Sequence, residues 1–573
     1  MRINKIKNTF FFRFRTIYRS IAPQFRDITR RHGRDIRQYG QRYLRTDAGI
    51  SPGTRGDIPG QDTQKTENRQ AMEGYISDSV YVASKKRNSL INRRIICRVL
   101  GVLLLVEVCM LLTCVGVAWG YGEQDGLAFL LSAGITAVVA GLLLLAGRKA
   151  ERRMSKRDGY CVAALTWALF SLCGMLPFLL SHSVPTVADA FFETMSGFTT
   201  TGATIMDDID TQSHAILFWR SLTHWIGGLG IVFFAIAILP AFSDGSNLQL
   251  FSAEAVGVTH DKIHPKVSTM ARWLWTIYLI LTVSQTVLLR LGGMGWFDSV
   301  CQTFATVSTG GLSTKQASIA YWNSPYIEYV TAIFMVLSGI NFSLYFSCLK
   351  GKFGKIWRDE ETRWFLGSIL TLTLCIAVAL VLKNNYGIEE AFRKAFFQVV
   401  TLHTSTGFAT DDYMLWPSFT WIFLIYAMLA GGCTGSTSGG IKNLRLLIMS
   451  RGIRNHFRKL LHPNAVMQIR VNRQTVIPSV VLSVGIFICL YLLCILIGWL
   501  LFMLMGVEFM EAISVTVSSM GNAGLALGNY GPAYSWSALP EAGKWLSSFL
   551  MLLGRLEMFA VMLMFYSAFW KNR

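Results

Sequence analysis

Four short segments of the sequence carry residue types that could coordinate a dehydrated cation. Each contains a triplet of small or polar residues that ends in Gly, and the triplets occupy 200–202, 308–310, 405–407 and 522–524. Glycine reaches positive φ at little cost, so backbone of this composition can turn its carbonyl oxygens toward a common point. Carbonyl oxygens arranged in that way can replace the water around an alkali ion. The triplets therefore indicate cation binding by the main chain.

Each triplet follows an apolar stretch of helical length that begins with an acidic residue. The four segments are 187–204, 297–314, 388–410 and 507–528, and the acids near their starts are Asp189, Asp298, Glu389 or Glu390, and Glu511. A helix favours an acid near its N-terminus, and its C-terminus carries about half a negative charge. One such triplet alone is typical of a helix end or a packing contact. Four at matched positions, with their helix ends directed at one point, predict a cation selectivity filter.

The composition excludes an ordinary soluble protein. Of the 573 residues, 52% are hydrophobic and 15% are charged, whereas about 25% are charged in soluble domains. Ten apolar runs are candidate membrane spans, at 97–119, 127–147, 160–181, 219–240, 268–291, 326–348, 365–383, 418–430 continuing past a Gly-rich break, 476–505 and 544–569. Most reach the approximately 20 residues that a helix needs to cross a bilayer. They must be helical, because hydrocarbon cannot satisfy free backbone polar groups.

The distribution of charge predicts the orientation of these spans. The stretch before residue 96 carries 21 Lys and Arg against 8 Asp and Glu, and the joints at 148–159, 350–363 and 442–473 are also basic. Because basic joints stay in the cytoplasm, every second joint and both termini are predicted to be cytoplasmic. Residues 1–95 are predicted to be a disordered cytosolic tail. A lipid-headgroup or RNA-binding arm, or a true start near Met72, are the alternatives for this tail.

The spans and the Gly segments form an internal fourfold repeat. The units, each a span, a pore loop and a second span, are 160–245, 265–350, 364–450 and 474–573. Since each unit crosses twice, all four share one orientation and can surround a single axis. The predicted fold is an all-α polytopic membrane protein with four pseudo-symmetric repeats around a central cation pore. Residues 96–150 are predicted to add a peripheral N-terminal hairpin of two helices.

Two further features fall inside predicted spans. Residues 431–440 include five Gly, and because each Gly costs a helix roughly 1 kcal/mol, this stretch is predicted to be unwound. An ordinary kinked helix is the alternative. Arg555 lies in the last apolar run, where a central Arg costs about 2.5–3.5 kcal/mol on insertion scales. It should therefore face a watery interior or the carbonyls of the Gly-rich stretch, rather than reach to the membrane interface.

At residues 97–573 the sequence resembles the TrkH/KtrB superfamily of potassium transporters, and the TrkH branch most closely. The resemblance is sharpest at GGCTGSTSGGIKNLR (431–445), and it extends to RSLTHWIGGLGIVFFAIAILP (220–240), GRLEMFAVM (554–562) and the four triplets. It implies potassium uptake across the bacterial inner membrane by one chain that imitates a tetrameric channel. It also implies a homodimer and a cytosolic nucleotide-binding, TrkA-like regulatory subunit. No covalent cofactor and no nucleic-acid partner are expected.

By matching position, the resemblance implies a filter in which potassium is the only metal, held by carbonyls. The filter residues are Thr200, Thr201, Gly202, Ala203, Ser308, Thr309, Gly310, Gly311, Ser405, Thr406, Gly407, Phe408, Asn522, Ala523, Gly524 and Leu525. Relatives with Ser at the first Gly transport sodium, so Gly202 favours potassium. The implied gate residues are Gly431, Gly432, Cys433, Thr434, Gly435, Ser436, Thr437, Ser438, Gly439, Gly440 and Arg555.

Two other classes of function remain open at this point. Within transport, the alternative is a symporter that couples potassium to Na⁺ or H⁺, although the sequence offers no inverted repeat. A polytopic membrane enzyme would have to use His260, Asp261 and His264, or His403 with the acids at 411 and 412. The eleven Cys contain no CxxC pair and resemble buried hydrophobes rather than a zinc site. No catalytic residue is therefore predicted.

Overall fold

The computed structural model of the chain describes residues 91–149, 154–230, 267–349, 351, 354–465 and 467–570. Most of these residues are helical, and a single pair of two-residue strands, β1 (Arg470–Val471) and β2 (Gln474–Thr475), runs antiparallel among them. The predicted tail up to residue 90 lies outside the described residues. So do His260, Asp261 and His264, and the second half of the predicted span 219–240.

The helices fall into long ones, short ones that precede the Gly triplets, and fragments beside bends. In chain order they are α1 (Arg93–Tyr121), α2 (Gly126–Ala146), α3 (Lys156–Gly174), α4 (Leu176–Leu180), α5 (Val187–Phe198), α6 (His214–Leu229), α7 (Val267–Leu291), α8 (Trp296–Val307), α9 (Pro325–Gly339), α10 (Phe342–Leu349), α11 (Gly354–Arg358), α12 (Glu360–Asn384), α13 (Ile388–His403), α14 (Phe419–Ala430), α15 (Asn443–Leu461), α16 (Pro478–Leu504), α17 (Phe509–Gly521), α18 (Glu541–Arg555), α19 (Phe559–Phe565) and α20 (Ser567–Trp570).

Six of the described helical stretches are long and apolar enough to cross a membrane: α1, α2, α3 with α4, α7, α12 and α16. Two helix pairs pass the same test only together, because α9 and α10 meet at 97° and α18 and α19 meet at 117°. The runs 326–348 and 544–569, predicted as spans, are therefore sharply bent. Helix α14 has 12 residues, too few to cross alone.

The four short helices α5, α8, α13 and α17 begin as predicted. Asp189, Asp298, Glu389 with Glu390, and Glu511 lie in their first turns. An acid there is stabilised by the N-terminal end of the helix dipole. Asp189 is also hydrogen-bonded to the helix-capping residue Thr186, whose hydroxyl in turn accepts from the Asp189 amide at 3.1 Å.

The long helices pack around the short ones in a cyclic order. Helix α6 packs against α5 and α8, α9 against α8 and α13, and α14 against α13 and α17. Helix α18 packs against α17 and returns to α5. Each of these four helices therefore contacts the short helix that precedes it in the chain and also one other short helix. The last of them, α18, contacts the first short helix, α5, so the packing order is closed.

Helices α1 and α2 pack against each other, and α1 also packs against α3 and α6. The turn between α1 and α2 is hydrogen-bonded to the start of α6. Glu123 Oε1 accepts from the His214 amide at 2.7 Å, and Oε2 accepts from the Ala215 amide at 3.1 Å. These contacts satisfy amides in the first turn of α6 that lack partners within the helix.

Candidate functional site

The backbone after each short helix adopts the same conformation in four places. Thr200, Thr309, Ser405 and Asn522 have φ between 53° and 56°. Two residues later, Gly202, Gly311, Gly407 and Gly524 have φ between 77° and 89°. The residue between them donates its amide to the carbonyl five positions earlier in each case, at Thr201, Gly310, Thr406 and Ala523. We call the four stretches Gly segments 1 (200–203), 2 (309–312), 3 (405–408) and 4 (522–525).

This shared geometry corrects the alignment of Gly segment 2. Sequence matching placed Ser308, Thr309 and Gly310 opposite the other triplets, whereas both backbone criteria place Thr309, Gly310 and Gly311 there. Ser308 belongs to the end of α8, where its hydroxyl donates to the Phe304 carbonyl at 2.6 Å. Leu312 takes the fourth position instead. The error arose because two adjacent glycines fit the same pattern in either register.

The Gly segments contact one another through glycine and carbonyl oxygen. The distances from a Cβ placed on each Gly to the facing oxygen are 2.1 Å for Gly202 to Gly310, 1.9 Å for Gly311 to Thr406, 2.6 Å for Gly407 to Ala523 and 2.3 Å for Gly524 to Thr201. No side chain fits in these gaps, and positive φ independently favours Gly at the same positions. Segment 1 thus contacts segment 2, and the series continues until segment 4 contacts segment 1.

Side chains reinforce this closed series. Asn522 Nδ2 donates to Thr201 Oγ1 at 3.0 Å and so links segment 4 to segment 1.

A cavity of about 60 Å³ adjoins all four segments and is lined by Gly202, Gly311, Gly407 and Gly524. A water needs roughly 10–15 Å³ by this kind of measure. The four Gly segments therefore border a space that is larger than one water molecule needs.

The Gly-rich segment (431–440) is unwound, as predicted. Helix α14 ends at Ala430, and α15 begins only at Asn443. Gly431 and Gly440 lie face to face, because a Cβ on Gly440 would be 2.8 Å from the Gly431 Cα. Hydrogen bonds that hold the rest of the segment run from Gly432 N to Ser438 Oγ (2.8 Å), Cys433 N to Gly339 O (2.8 Å), Thr434 N to Glu361 Oε1 (2.5 Å), Phe342 N to Gly435 O (3.1 Å) and Ser436 Oγ to Cys433 O (2.6 Å).

The Gly-rich segment contacts Gly segments 2 and 3 and the end of α17, on the side where the short helices end. The Gly439 amide donates to Ser405 Oγ at 2.6 Å, and the hydroxyls of Thr309 and Thr437 are 3.3 Å apart. A Cβ on Gly439 would lie 2.3 Å from the Gly521 carbonyl oxygen. The unwound stretch therefore lies directly against segments 2 and 3 and against the last residue of α17.

Arg555 connects the Gly-rich segment to α6. Its Nη1 donates to the Thr437 carbonyl, and its Nη2 donates to the carbonyls of Gly227 and Gly228, each at 2.6 Å. This agrees with the expectation that Arg555 faces carbonyls of that segment. The position in the helix differs from the expectation, because Arg555 ends α18 at the 117° bend instead of lying within a straight span.

Sequence reasoning missed a buried ion pair beside the cavity. Arg220 on α6 donates from Nε to Glu193 on α5 at 2.8 Å, and both side chains are at most 1% exposed. Arg220 also donates to the Ser313 carbonyl at 3.1 Å and to Thr204 Oγ1 at 3.0 Å, while Glu193 accepts from the Ile205 amide at 3.0 Å. The sequence did offer a signal for this pair, because Arg220 and Glu193 each place a charge within an apolar stretch. Ionisable groups inside membranes usually have a partner or a function.

We expect Arg220→Met to lower the thermal stability of the detergent-solubilised protein strongly. Removing one partner leaves a buried charge uncompensated, which costs about 3–5 kcal/mol. The double variant Arg220→Met with Glu193→Gln should regain part of the melting temperature, because no unpaired charge remains. A double variant that melts at the sum of the two single losses would show that the residues do not act as a pair.

Two further ion pairs bind outer helices to short helices. Lys544 on α18 lies 2.5 Å from Asp189 on α5, and Arg393 on α13 lies 2.5 Å from Glu328 on α9. Both pairs follow the cyclic packing order of the helices. Because these charges are largely removed from water, loss of either partner would leave the other uncompensated.

The residues considered for enzyme chemistry do not assemble into a reactive group within the described part of the chain. His403 is buried, and its Nε2 is 2.6 Å from the Ser368 hydroxyl. Asp411 instead contacts Trp416, whose Nε1 donates to it at 3.0 Å. Over the described residues, no cluster of three or more His, Cys, Asp and Glu side chains could hold a metal ion.

Long apolar helices that enclose four glycine-lined segments are features of a membrane transport protein. A family profile described as "TrkH: Cation transport protein" matches residues 127–572. The chain belongs to the TrkH family. It is therefore a transporter by family, not an enzyme.

Several relatives match nearly their whole length. The Trk system potassium uptake protein TrkH of Escherichia coli K12 is 36% identical over 483 residues, which is 84% of this chain and 99% of the relative. TrkG of the same strain is 33% identical over 482 residues, with the same coverage. The crystal structure of the potassium transporter TrkH from Vibrio parahaemolyticus superposes with a TM-score of 0.76 at 32% identity, covering 83% of this chain and 99% of that one.

Proposed function

We propose that this protein mediates potassium uptake through a selectivity filter formed by the four Gly segments. The observation that carries the proposal is the closed series of glycine-to-carbonyl contacts, from Gly202 around to Gly524 and Thr201. Close contact of four backbones around one axis is the arrangement that brings carbonyl oxygens to a dehydrated ion. The relatives named as potassium uptake proteins support potassium as the ion.

The architecture behind this filter is four pseudo-symmetric repeats, with the boundaries 160–245, 265–350, 364–450 and 474–573. The cyclic packing of α6, α9, α14 and α18 supports it. The C-termini of α5, α8, α13 and α17 lead into the Gly segments, and each carries about half a negative charge. Together they stabilise a cation where the segments meet. Helices α1 and α2 form the peripheral hairpin.

The Gly-rich segment acts as the gate. It lies against segments 2 and 3 through Thr437, Ser405 and Gly439, so an ion that leaves the filter on that side must displace it. Its five glycines lower the cost of a change in backbone conformation. The segment can therefore move aside once hydrogen bonds such as Gly439 N to Ser405 Oγ and Cys433 N to Gly339 O are released. Arg555 holds it closed through the Thr437 carbonyl and adds a positive charge to the path.

Symport with H⁺ is the second candidate, and Glu107 is the observation in its favour. This residue is fully buried in the apolar helix α1, and neither carboxylate oxygen has a hydrogen-bond partner among the described residues. A Cβ on Gly174 would lie 3.0 Å from its Oε1. Intramembrane carboxyl groups of this kind often carry protons in pumps and transporters. The sequence interpretation overlooked it.

The surroundings of the protein follow from its family and its charge pattern. We propose a homodimer in the bacterial inner membrane with both termini in the cytoplasm, regulated by a TrkA-like nucleotide-binding subunit. The basic joints at 350–363 and 442–473 support this orientation. The Trk system names of the relatives support a multicomponent system.

The test is the reversal potential of the purified protein in liposomes with potassium on one side and sodium on the other. We expect a potential close to the potassium equilibrium value, and uptake of rubidium down its gradient without turnover of any substrate. Equal permeation of sodium and potassium would contradict the potassium assignment. Rubidium accumulation driven by an imposed pH gradient, and lost in Glu107→Gln, would favour the symporter over the passive pathway.

A further inference from the structure

His224 lies between two of the Gly segments. It is fully buried on α6, and its two ring nitrogens face different parts of the backbone. Nδ1 is 2.6 Å from the Gly197 carbonyl oxygen in α5, and Nε2 accepts from the Leu312 amide in Gly segment 2 at 3.1 Å. One imidazole thus bridges the helix that precedes segment 1 and the backbone of segment 2.

These partners fix the tautomer of His224. A carbonyl oxygen can only accept, so Nδ1 must carry the proton, and a backbone amide can only donate, so Nε2 must be bare. The neutral imidazole is the one form that satisfies both contacts. The two contacts require a side chain with one donor and one acceptor at this spacing, and they do not require a positive charge on that side chain.

The bond to Leu312 determines where the preceding carbonyl points. The amide of Leu312 and the carbonyl of Gly311 belong to the same peptide unit, which is planar and trans. Their N–H and C=O bonds therefore point in opposite directions. Since the N–H points at His224 on α6, the Gly311 carbonyl points away from α6. Gly311 itself faces segment 3 and lines the cavity.

Gly segment 2 needs this restraint because of its composition. At the position of Thr201, Thr406 and Ala523 it has Gly310, and two consecutive glycines allow the peptide to rotate easily. A Cβ on Gly310 would lie 2.4 Å from Cγ of His224. The imidazole therefore occupies the space that a side chain at position 310 would take.

Arg220 restrains the same segment from one helical turn away. Residues 220 and 224 share a face of α6 because they are four positions apart. Arg220 donates to the Ser313 carbonyl, and His224 accepts from the adjacent residue, Leu312. The Arg220 side chain is fixed by its ion pair with Glu193 and contacts Ser313. His224 instead determines the orientation of the peptide unit that joins Gly311 to Leu312.

We propose that His224 is a positioning residue that orients the Gly311 carbonyl and thereby sets the preference for potassium over sodium. This inference rests on the proposed function of the Gly segments as a filter. It assigns to a residue outside the filter a role in selectivity. The orientation of one carbonyl in four is restrained by a side chain of the neighbouring repeat.

The test compares three replacements by bi-ionic reversal potential in liposomes. His224→Gln keeps a donor and an acceptor at similar spacing, and it should retain the potassium-to-sodium permeability ratio within about twofold. His224→Leu removes both and should lower that ratio about tenfold, the factor that one buried hydrogen bond can supply. His224→Asn is too short to span both partners and should behave like His224→Leu. It keeps the test decisive if the Leu variant does not fold.

The outcomes separate the inference from the proposed function. A wild-type protein that does not discriminate potassium from sodium would overturn the filter itself. A selective wild type with equal permeability ratios in the Gln, Asn and Leu variants would overturn the role of His224 and leave the filter standing. Loss of protein abundance in all three variants, with an unchanged ratio in the protein that remains, would show a purely structural residue and would also overturn it.

Discussion

Gly311→Ala is expected to reduce potassium uptake about a hundredfold. The new Cβ would lie 1.9 Å from the Thr406 carbonyl oxygen, the shortest of the four approaches between Gly segments. Left-handed backbone also costs a non-glycine residue roughly 1–2 kcal/mol, and forced overpacking adds about 1–3 kcal/mol. A combined penalty of about 3 kcal/mol corresponds to that factor. Rubidium uptake into liposomes, normalised to reconstituted protein, measures it.

Gly293→Ala is the matched control for this prediction. Gly293 has φ of 96°, close to the 89° of Gly311, but no atom lies within 4 Å of a Cβ at that position. It shares the backbone strain without the close contact. We expect near-normal uptake after allowing for a modest loss of stability. If both variants lose uptake equally, strain alone accounts for the effect, and the close approach of segments 2 and 3 has no role in transport.

The parts of this site that sequence reasoning predicted depend on local backbone chemistry. The acid at the start of each short helix follows from helix dipoles, and the break at 431–440 follows from the poor helix propensity of glycine. Both features are determined by residues a few positions apart. The internal fourfold repeat indicated which loops belong together. The resemblance named the family, and the family profile confirms that the chain is a member of it.

The parts that were missed depend on contacts between distant residues. Arg220 meets Glu193 and Ser313 across 27 and 93 positions of chain, and no local pattern specifies such partners. The register of Gly segment 2 was ambiguous because Gly310 and Gly311 satisfy the same triplet rule. The bends after α9 and α18 lie beside the Gly-rich segment, where Gly339 accepts from the Cys433 amide and Arg555 donates to the Thr437 carbonyl. Hydropathy alone registers only the apolar length of each run.

Arg555→Ala is expected to raise the basal cation leak about tenfold or more. The guanidinium holds three carbonyls, those of Thr437, Gly227 and Gly228, and a hydrogen bond to a charged group contributes about 1.5–3 kcal/mol. Its loss frees the Gly-rich segment from α6 and, under the proposed gating role, removes a positive charge from the ion path. Both effects favour the open state, and about 1.4 kcal/mol is sufficient for a tenfold change. Sodium and rubidium leak from liposomes without a regulatory subunit is the measurement.

The control for Arg555 is Arg290→Ala. Arg290 also lies near a helix end and donates to a carbonyl, that of Met294 at 3.1 Å, but this carbonyl belongs to the turn before α8. Its removal should leave the leak unchanged. Arg555→Lys separates charge from geometry, because lysine keeps the charge but cannot reach Thr437, Gly227 and Gly228 with one rigid planar group. A leak in Arg555→Lys as large as in Arg555→Ala assigns the closed state to hydrogen bonding, whereas a wild-type leak in Arg555→Ala removes Arg555 from the gate.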